Sequence, residues 1–316
     1  MPQGSLLGPQ YYIMYSKQIE TIAMDFNIQI NMYADDAQLY VAFNLNEKDQ
    51  TKLNILECLS TIKSWMDNNF LKINTEKTQI KLFKPDKLNL NYDLNFNGNL
   101  LECQDEINIL GVNLTKNLDM KKFIQRKVQV CNFKLRNLVF IKNSIPFKIR
   151  ITLVTNLILS NLDYCNSLLA CSNENTLKPL RLVLNRAVRF IFNISKRTHI
   201  TYFLKRLHFL PVKFRIIFKT CLLAFKIFHQ MAPEYLQSKF SKFVRTTTSN
   251  LRDNSGRDNY MFHTTLEDHR RNTLINQIKI NWNSLPLQIR QFQRHQLIQF
   301  KTKLKTHLFQ IAYELS

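Results

Sequence analysis

Tyr33-Ala34-Asp35-Asp36 is the segment of this sequence with the most chemistry in it. Two adjacent carboxylates repel each other and cost free energy to hold side by side. A hard divalent cation such as Mg²⁺ removes that cost, because it takes carboxylate oxygens together with substrate phosphates. Two such ions stabilise the attacking and leaving oxygens of a nucleotidyl transfer. The bland alternative is an acidic surface turn, since Asp-Asp is common in loops. A four-residue pattern therefore needs context.

The flanking residues say how the carboxylates would be held. Two apolar, β-branched or aromatic runs between Ile28 and Phe43 enclose Ala34-Asp35-Asp36, which predicts a hairpin with the acids at its tip. Leu6 to Phe26 predicts a helix, and residues 48–68 an amphipathic one, with Leu56, Leu59, Ile62 and Met66 recurring every three or four positions. Thr78 to Phe83 alternates as a strand. Residues 92–114 predict one further hairpin, turning at Asn97-Gly98 and ending in Ile109-Leu110-Gly111-Val112. After Asp119 the pattern turns helical, and Ile124, Val128, Cys131, Leu135 and Leu138 form one apolar stripe. Pro146 can start the next helix, and Pro179 and Pro211 can each occupy a first helical turn. Residues 240–275 read as an exposed linker, and a last helix is expected from Gln293 to Leu315. The fold class is α+β, in three segments: 1–119 mixed, 120–239 helical, and 240–316 a linker with a helical tail.

Charge separates the two ends. Residues 1–120 hold 10 Lys/Arg against 15 Asp/Glu, a net of −5, and residues 121–316 hold 34 against 8, a net of +26. So basic a region repels itself when compact, and a polyanion relieves that repulsion. Arg215, Lys219 and Lys226 fall on one face of a helix predicted from Pro211 to His229, opposite Ile216, Leu223 and Ile227. A groove-facing helix, a membrane-surface helix and a packed helix with a solvated face all fit that pattern. Beside Lys122, Arg126, Arg181, Arg186 and Arg189 it favours a region that tracks phosphates. The six cysteines form no C-x-x-C pair, which argues against zinc and a disulfide framework and for a reducing compartment, nucleus or cytoplasm. The N-terminal residues do not read as a secretion signal, and no run is long and apolar enough for a membrane span.

An ordered set of segments surrounds the two acids. Pro2-Gln3-Gly4-Ser5-Leu6-Leu7-Gly8-Pro9 precedes them. Phe70-Leu71-Lys72, Asn74-Thr75-Glu76-Lys77-Thr78 and Leu110-Gly111-Val112 lie after them. Further on come Leu162-Asp163-Tyr164-Cys165-Asn166-Ser167-Leu168-Leu169, Leu207-His208-Phe209-Leu210-Pro211-Val212, Ala232-Pro233-Glu234-Tyr235-Leu236 and Trp282-Asn283-Ser284-Leu285-Pro286. In this order they resemble reverse transcriptases of non-LTR (LINE-type) retrotransposons over almost the whole chain.

The resemblance implies a partial polymerase palm followed by a basic helical thumb and a C-terminal region. The activity it implies is RNA-directed DNA synthesis with Mg²⁺, deoxynucleotides, an RNA template and a DNA primer. It places Asp35 and Asp36 at the metal site. Gln3, Gly4, Ser5, Tyr33 and Ala34 fall at the template and nucleotide pocket, Lys77 near the leaving pyrophosphate, and Leu110, Gly111 and Val112 at the primer grip. The family's palm carries another metal-binding Asp on a strand upstream of the Gln-Gly-Ser segment. Here Gln3 stands almost at the start, and Asp25 lacks the aromatic strand context to replace that Asp. Gly8-Pro9-Gln10-Tyr11 also departs from the family's more apolar continuation. The expectation is a fragment that is inactive alone. Its rivals are a non-catalytic nucleic-acid-binding module and a polymerase completed by a partner chain.

Overall fold

The computed structural model describes residues 5–85, 90, 92–240, 261–264 and 273–314. They form an α+β fold in two compact units, Met1–Asn108 with Thr115–Asn117, and Ile109–Leu114 with Leu118–Ser316.

The first unit is built on α1 (Gly8–Asp25), the antiparallel hairpin β1 (Gln29–Tyr33) and β2 (Asp36–Tyr40), and α2 (Lys48–Asn68). Pro9 sits in the first turn of α1, where an absent N–H breaks no intrahelical bond. The helix ends in a Schellman closure. Asn27 takes a φ of 56°, its N–H donates to the Met24 carbonyl, and the Ile28 N–H donates to the Ala23 carbonyl, both at 2.9 Å. The closure turns the chain directly into β1. From there the strand period of two sends Ile28, Ile30 and Met32 inward, to pack with Ile19, Ile22, Cys58 and Ile62, and leaves Gln29, Asn31 and Tyr33 exposed. Hydrogen bonds add to that packing in fastening α2 to α1. Asn54 Nδ2 donates to the Phe26 carbonyl at 2.8 Å, and the Tyr15 hydroxyl donates to the Asn69 carbonyl at 2.8 Å.

Residues 92–114 make two hairpins where one was expected. β3 (Leu94–Phe96) and β4 (Asn99–Leu101) turn at Asn97-Gly98, with φ of 54° and 77°. β5 (Glu106–Ile109) and β6 (Val112–Thr115) turn at Leu110-Gly111, with φ of 48° and 80°. Asn-Gly announces such a turn in sequence, but Leu seldom takes the left-handed conformation, so the second turn read as a strand end. Thr78 to Phe83 does not form the expected strand. Ile80 makes a single parallel bridge to Cys103, while the Lys81 ammonium donates to the carbonyls of Gln104 and Asp105.

In the second unit α3 (Lys121–Phe140) packs on α6 (Glu174–Phe192) through its predicted stripe, with Ile124, Cys131, Leu135 and Leu138 all buried. Between them α4 (Phe147–Val154) runs through a π-helical turn (Thr155–Leu159) into α5 (Ser160–Asp163). A single i→i+5 insertion rotates the next helical segment by about 100° relative to an unbroken helix. A short 3₁₀ segment (Asn166–Cys171) and α7 (Thr201–Arg206) complete this part. Pro146 and Pro211 stand at the N-caps of α4 and α8 (Val212–Phe228). Pro179 is not in the first turn of its helix. It lies inside α6, which Asn173 caps at the start, so α6 lacks the bond from position 179 to the Asn175 carbonyl.

A second core gathers around α8, where Phe225 stacks on Phe300 with centroids 4.3 Å apart and Phe228 on Trp282 at 5.5 Å. After α9 (Glu234–Gln237), it takes residues from α10 (Leu274–Asn283), α11 (Leu287–Arg290) and α12 (Leu297–Glu314). Most of the linker expected over 240–275 lies outside the described residues. Within it Phe262 is buried, and the Asn283 side chain bonds both its N–H and its carbonyl.

Phe70 closes α2 as Asn27 closes α1, with a φ of 56°, and its side chain is 98% exposed, so no packing offsets the strain. Phe70→Gly should therefore raise the stability of the first unit by about 0.5–1 kcal/mol. A urea titration reads this as a higher midpoint. A lower midpoint would mean that the phenyl ring holds contacts this closure does not require.

Candidate active site

Asp35 and Asp36 stand at the tip of the β1–β2 hairpin. The register pairs Tyr33 with Asp36, so Ala34 and Asp35 are the two turn residues. Ala34 takes a φ of 52°. A non-glycine residue costs of order 1–3 kcal/mol there and persists only where its surroundings hold it. Both carboxylates are exposed, and neither makes a hydrogen bond or ion pair to another described residue. Asp36 shares the outward face of the hairpin with Tyr33, Asn31 and Gln38. Asp35 lies near α1. Burial first, and the Asp35 charge second, push the Tyr12 hydroxyl above its ordinary pKa. Tyr12 had no signal in the sequence, since a tyrosine in a Tyr-Tyr pair on a helix reads as packing.

The donor set suits a hard divalent cation in kind, because its carboxylate oxygens are engaged by no described residue. It is two groups only. Among the described residues no cluster of three or more His, Cys, Asp or Glu side chains is placed to hold a metal ion.

The remaining predicted positions are held in different ways. Gln3 and Gly4 lie outside the described residues, and Ser5 leads into α1, its carbonyl accepting from the Gly8 N–H at 3.3 Å. Lys77 projects from a turn that Asn74 builds. The Lys77 N–H donates to the Asn74 carbonyl and side-chain oxygens, each at 3.2 Å, and the Thr78 hydroxyl donates to the Asn74 carbonyl at 2.9 Å. The Lys77 side chain is exposed, and no ion pair joins it to Asp35 or Asp36. In the Leu110-Gly111-Val112 segment, Val112 is buried in the helical core, while Leu110 and Gly111 form the exposed turn.

The basic candidates separate by surroundings. Arg126 on α3 and Arg181 on α6 are exposed and make no hydrogen bond or ion pair to a described residue, and Lys122, one turn before Arg126, is exposed too. Arg186 donates to the Asn132 side chain at 2.9 Å, across α6 and α3. Arg189 donates to the carbonyls of Ser195 and Thr198 and so closes the loop after α6. Arg215 meets Asp163 in a two-pronged ion pair at 2.8 and 2.6 Å. On the same helix Lys219 is half-buried and Lys226 exposed, so the expected basic stripe of α8 is not one uniform face.

Lys127 is the residue that sequence reasoning passed over. It is buried on α3, and its ammonium donates to the carbonyls of Asn161 and Tyr164, each at 2.5 Å, over the Phe123 ring at 4.7 Å. The signal was present, for position 127 lies one turn from both Ile124 and Cys131 on the apolar stripe. Tyr164 reaches the other way. Its hydroxyl donates to the Leu110 carbonyl at 2.5 Å.

The comparisons bear on the first third of the chain. Residues 1–114 match the family model described as reverse transcriptase (RNA-dependent DNA polymerase). The matched stretch contains the Asp35-Asp36 turn, the Asn74 turn and the Leu110-Gly111 turn, and it ends inside β6. No curated protein and no solved structure matches the chain. No helix of the described residues is long and apolar enough to cross a membrane.

Burial pushes the Lys127 ammonium down to about 8, against the opposing pull of Cys165, Cys131 and Asp163, the last of which also faces Arg215 from α8. A folded-state value below the unfolded one penalises folding while the group must be charged. Between about pH 8 and the ordinary lysine value the unfolded chain binds the extra proton, so this contribution favours folding increasingly as pH rises. The stability difference between wild type and Lys127→Met should therefore shift toward wild type from pH 8 to pH 10, by at most about 1.4 kcal/mol per pH unit. Parallel urea titrations would read it. A difference independent of pH would show that Lys127 keeps an ordinary pKa in the fold.

Proposed function

We propose that this chain is part of a non-LTR (LINE-type) retrotransposon reverse transcriptase, with palm elements in residues 1–119 and a nucleic-acid-binding thumb in the helices after residue 120. The observation that carries the reading is the Asp35-Asp36 pair at a strained hairpin tip inside a segment that matches the reverse transcriptase family model. In this reading Asp35 and Asp36 would hold Mg²⁺ and so draw the phosphates of a deoxynucleotide to the turn. When bound, the ions neutralise the charge of the transferring phosphoryl group and lower the pKa of the attacking hydroxyl. Tyr33, Ala34 and Ser5, with Gln3 and Gly4, border the nucleotide and template base. Lys77, presented by the Asn74 turn, stabilises the leaving pyrophosphate and can protonate it. Leu110 and Gly111 meet the primer, and Val112 anchors their turn.

Among the described residues no third carboxylate is grouped with these two, and in this reading a polymerase metal site takes its third from another segment or another chain. The 316 residues alone should then show no Mg²⁺-dependent extension of a DNA primer on an RNA template, whereas addition of an upstream palm segment should restore it. Extension by the chain alone, abolished by Asp35→Ala, would overturn the incomplete-site reading.

The +26 charge over residues 121–316 favours binding without base readout, which a non-catalytic binding module would also show. Arg126 and Arg181, free of partners among the described residues, are the best candidates to meet phosphates. Arg126→Glu with Arg181→Glu should reduce the slope of log affinity against log salt by about two for duplex DNA. Anisotropy titrations at several salt concentrations measure the slope, and an unchanged one would assign these two arginines to the solvated surface.

A further inference from the structure

We propose that Tyr164 is a positioning residue for the primer terminus: it holds the Leu110-Gly111 turn in the shape that meets the primer. The proposal rests on the reading of Leu110, Gly111 and Val112 as the primer grip. It gives a role to the Leu162–Leu169 motif, which that reading leaves without one.

The turn is unusual in what it asks of its residues. Leu110 takes a φ of 48° and Gly111 one of 80°. The left-handed conformation costs a branched residue such as Leu about 1–2 kcal/mol. Leu110 is 38% exposed, so core packing is not what compensates. What meets the turn is Tyr164. Its hydroxyl donates to the Leu110 carbonyl, and its ring edge lies 3.8 Å from where a Cβ on Gly111 would stand. Tyr164 is 49% exposed, so a hydroxyl there could be satisfied by water and need not reach for backbone. It spends its bond on the turn residue itself.

Tyr164 is in turn fixed from three sides. Its carbonyl accepts from the buried Lys127 of α3. The preceding residue, Asp163, is locked to Arg215 of α8, and the Asn166 side chain donates to the same carboxylate at 3.4 Å. Tyr164 itself leaves the helix at a ψ of 122°, which ends α5, and Cys165 follows at a φ of 48°. The Leu-Asp-Tyr-Cys-Asn sequence therefore forms a bracket. Leu162 and Asn166 are buried, Asp163 ties to α8, and Tyr164 carries the hold outward to the turn. A strained turn fixed by an outside group is preorganised for a ligand.

The test uses the full chain and the conservative variant Tyr164→Phe, which keeps the ring and removes only the hydroxyl. Three quantities are measured: melting temperature, amide exchange over residues 109–115, and affinity for a primer–template with a recessed 3′ end relative to a blunt duplex of the same length. The expected result is an unchanged melting temperature, faster exchange at the turn, and a preference for the recessed end reduced about fivefold, as loss of one hydrogen bond implies. If wild type has no preference for the recessed end, the primer-grip reading fails and takes this inference with it. If wild type has the preference and the variant keeps it while exchange rises, Tyr164 is a structural staple and this inference alone fails. Unchanged exchange, or a drop in melting temperature that weakens both duplexes equally, overturns it as well.

Discussion

A buried ammonium organises the helical half of this protein. Lys127 lies on the apolar stripe of α3, where a charge is costly unless hydrogen bonds surround it. The chain meets that demand with the carbonyls of Asn161 and Tyr164 at the end of α5. Carbonyls at a helix C-terminus lack partners within their helix and carry partial negative charge, so the lysine and the helix end satisfy each other. The bond fixes where α5 stops. The Asp163–Arg215 pair next to it fixes α8 against the same point.

The N-terminal third of the chain is organised by closures of another kind. The chain has five glycines, yet its helices and hairpins need left-handed residues to end or reverse. Asn27, Ala34, Phe70, Asn97 and Leu110 supply them at φ between 48° and 56°. Asn tolerates this conformation, and Ala, Phe and Leu do not. Two of the costly positions, Ala34 and Leu110, fall at the turns bearing the carboxylates and the proposed primer contact. Strain collects where the chain must present a chemical group at a tip. The packing of α1, α2 and β1 behind the first turn, and Tyr164 against the second, hold it there.

Charge has two uses in the helical unit. Lys127, Arg186, Arg189 and Arg215 bond other groups of the fold, which are carbonyls, an amide and a carboxylate. Arg126, Arg181 and Lys226 are exposed and bond no described side chain or carbonyl through their charged groups. Net charge alone does not separate these roles, because a guanidinium that closes a loop counts the same as one that faces solvent.

The sequence by itself determined the α+β class, the two-acid hairpin, the amphipathic faces of α2 and α3 and the helix starts at Pro146 and Pro211. Each of these depends on periodicity or on one residue's backbone limits, which neighbours in the chain reveal. Tertiary structure decided the rest. The carbonyl of the Leu110-Gly111 turn accepts from Tyr164, 54 positions away. The π-helical turn at Thr155–Leu159 is marked by no Gly or Pro. Arg215 looked like a phosphate ligand until Asp163, 52 positions earlier, proved to be its partner. The Asp-Tyr pair at positions 163 and 164 showed no function as a motif, because its two side chains serve elements far apart in sequence. Local patterns record what a segment requires of its own backbone. Which distant group meets a buried charge or a strained turn is settled only when the helices pack.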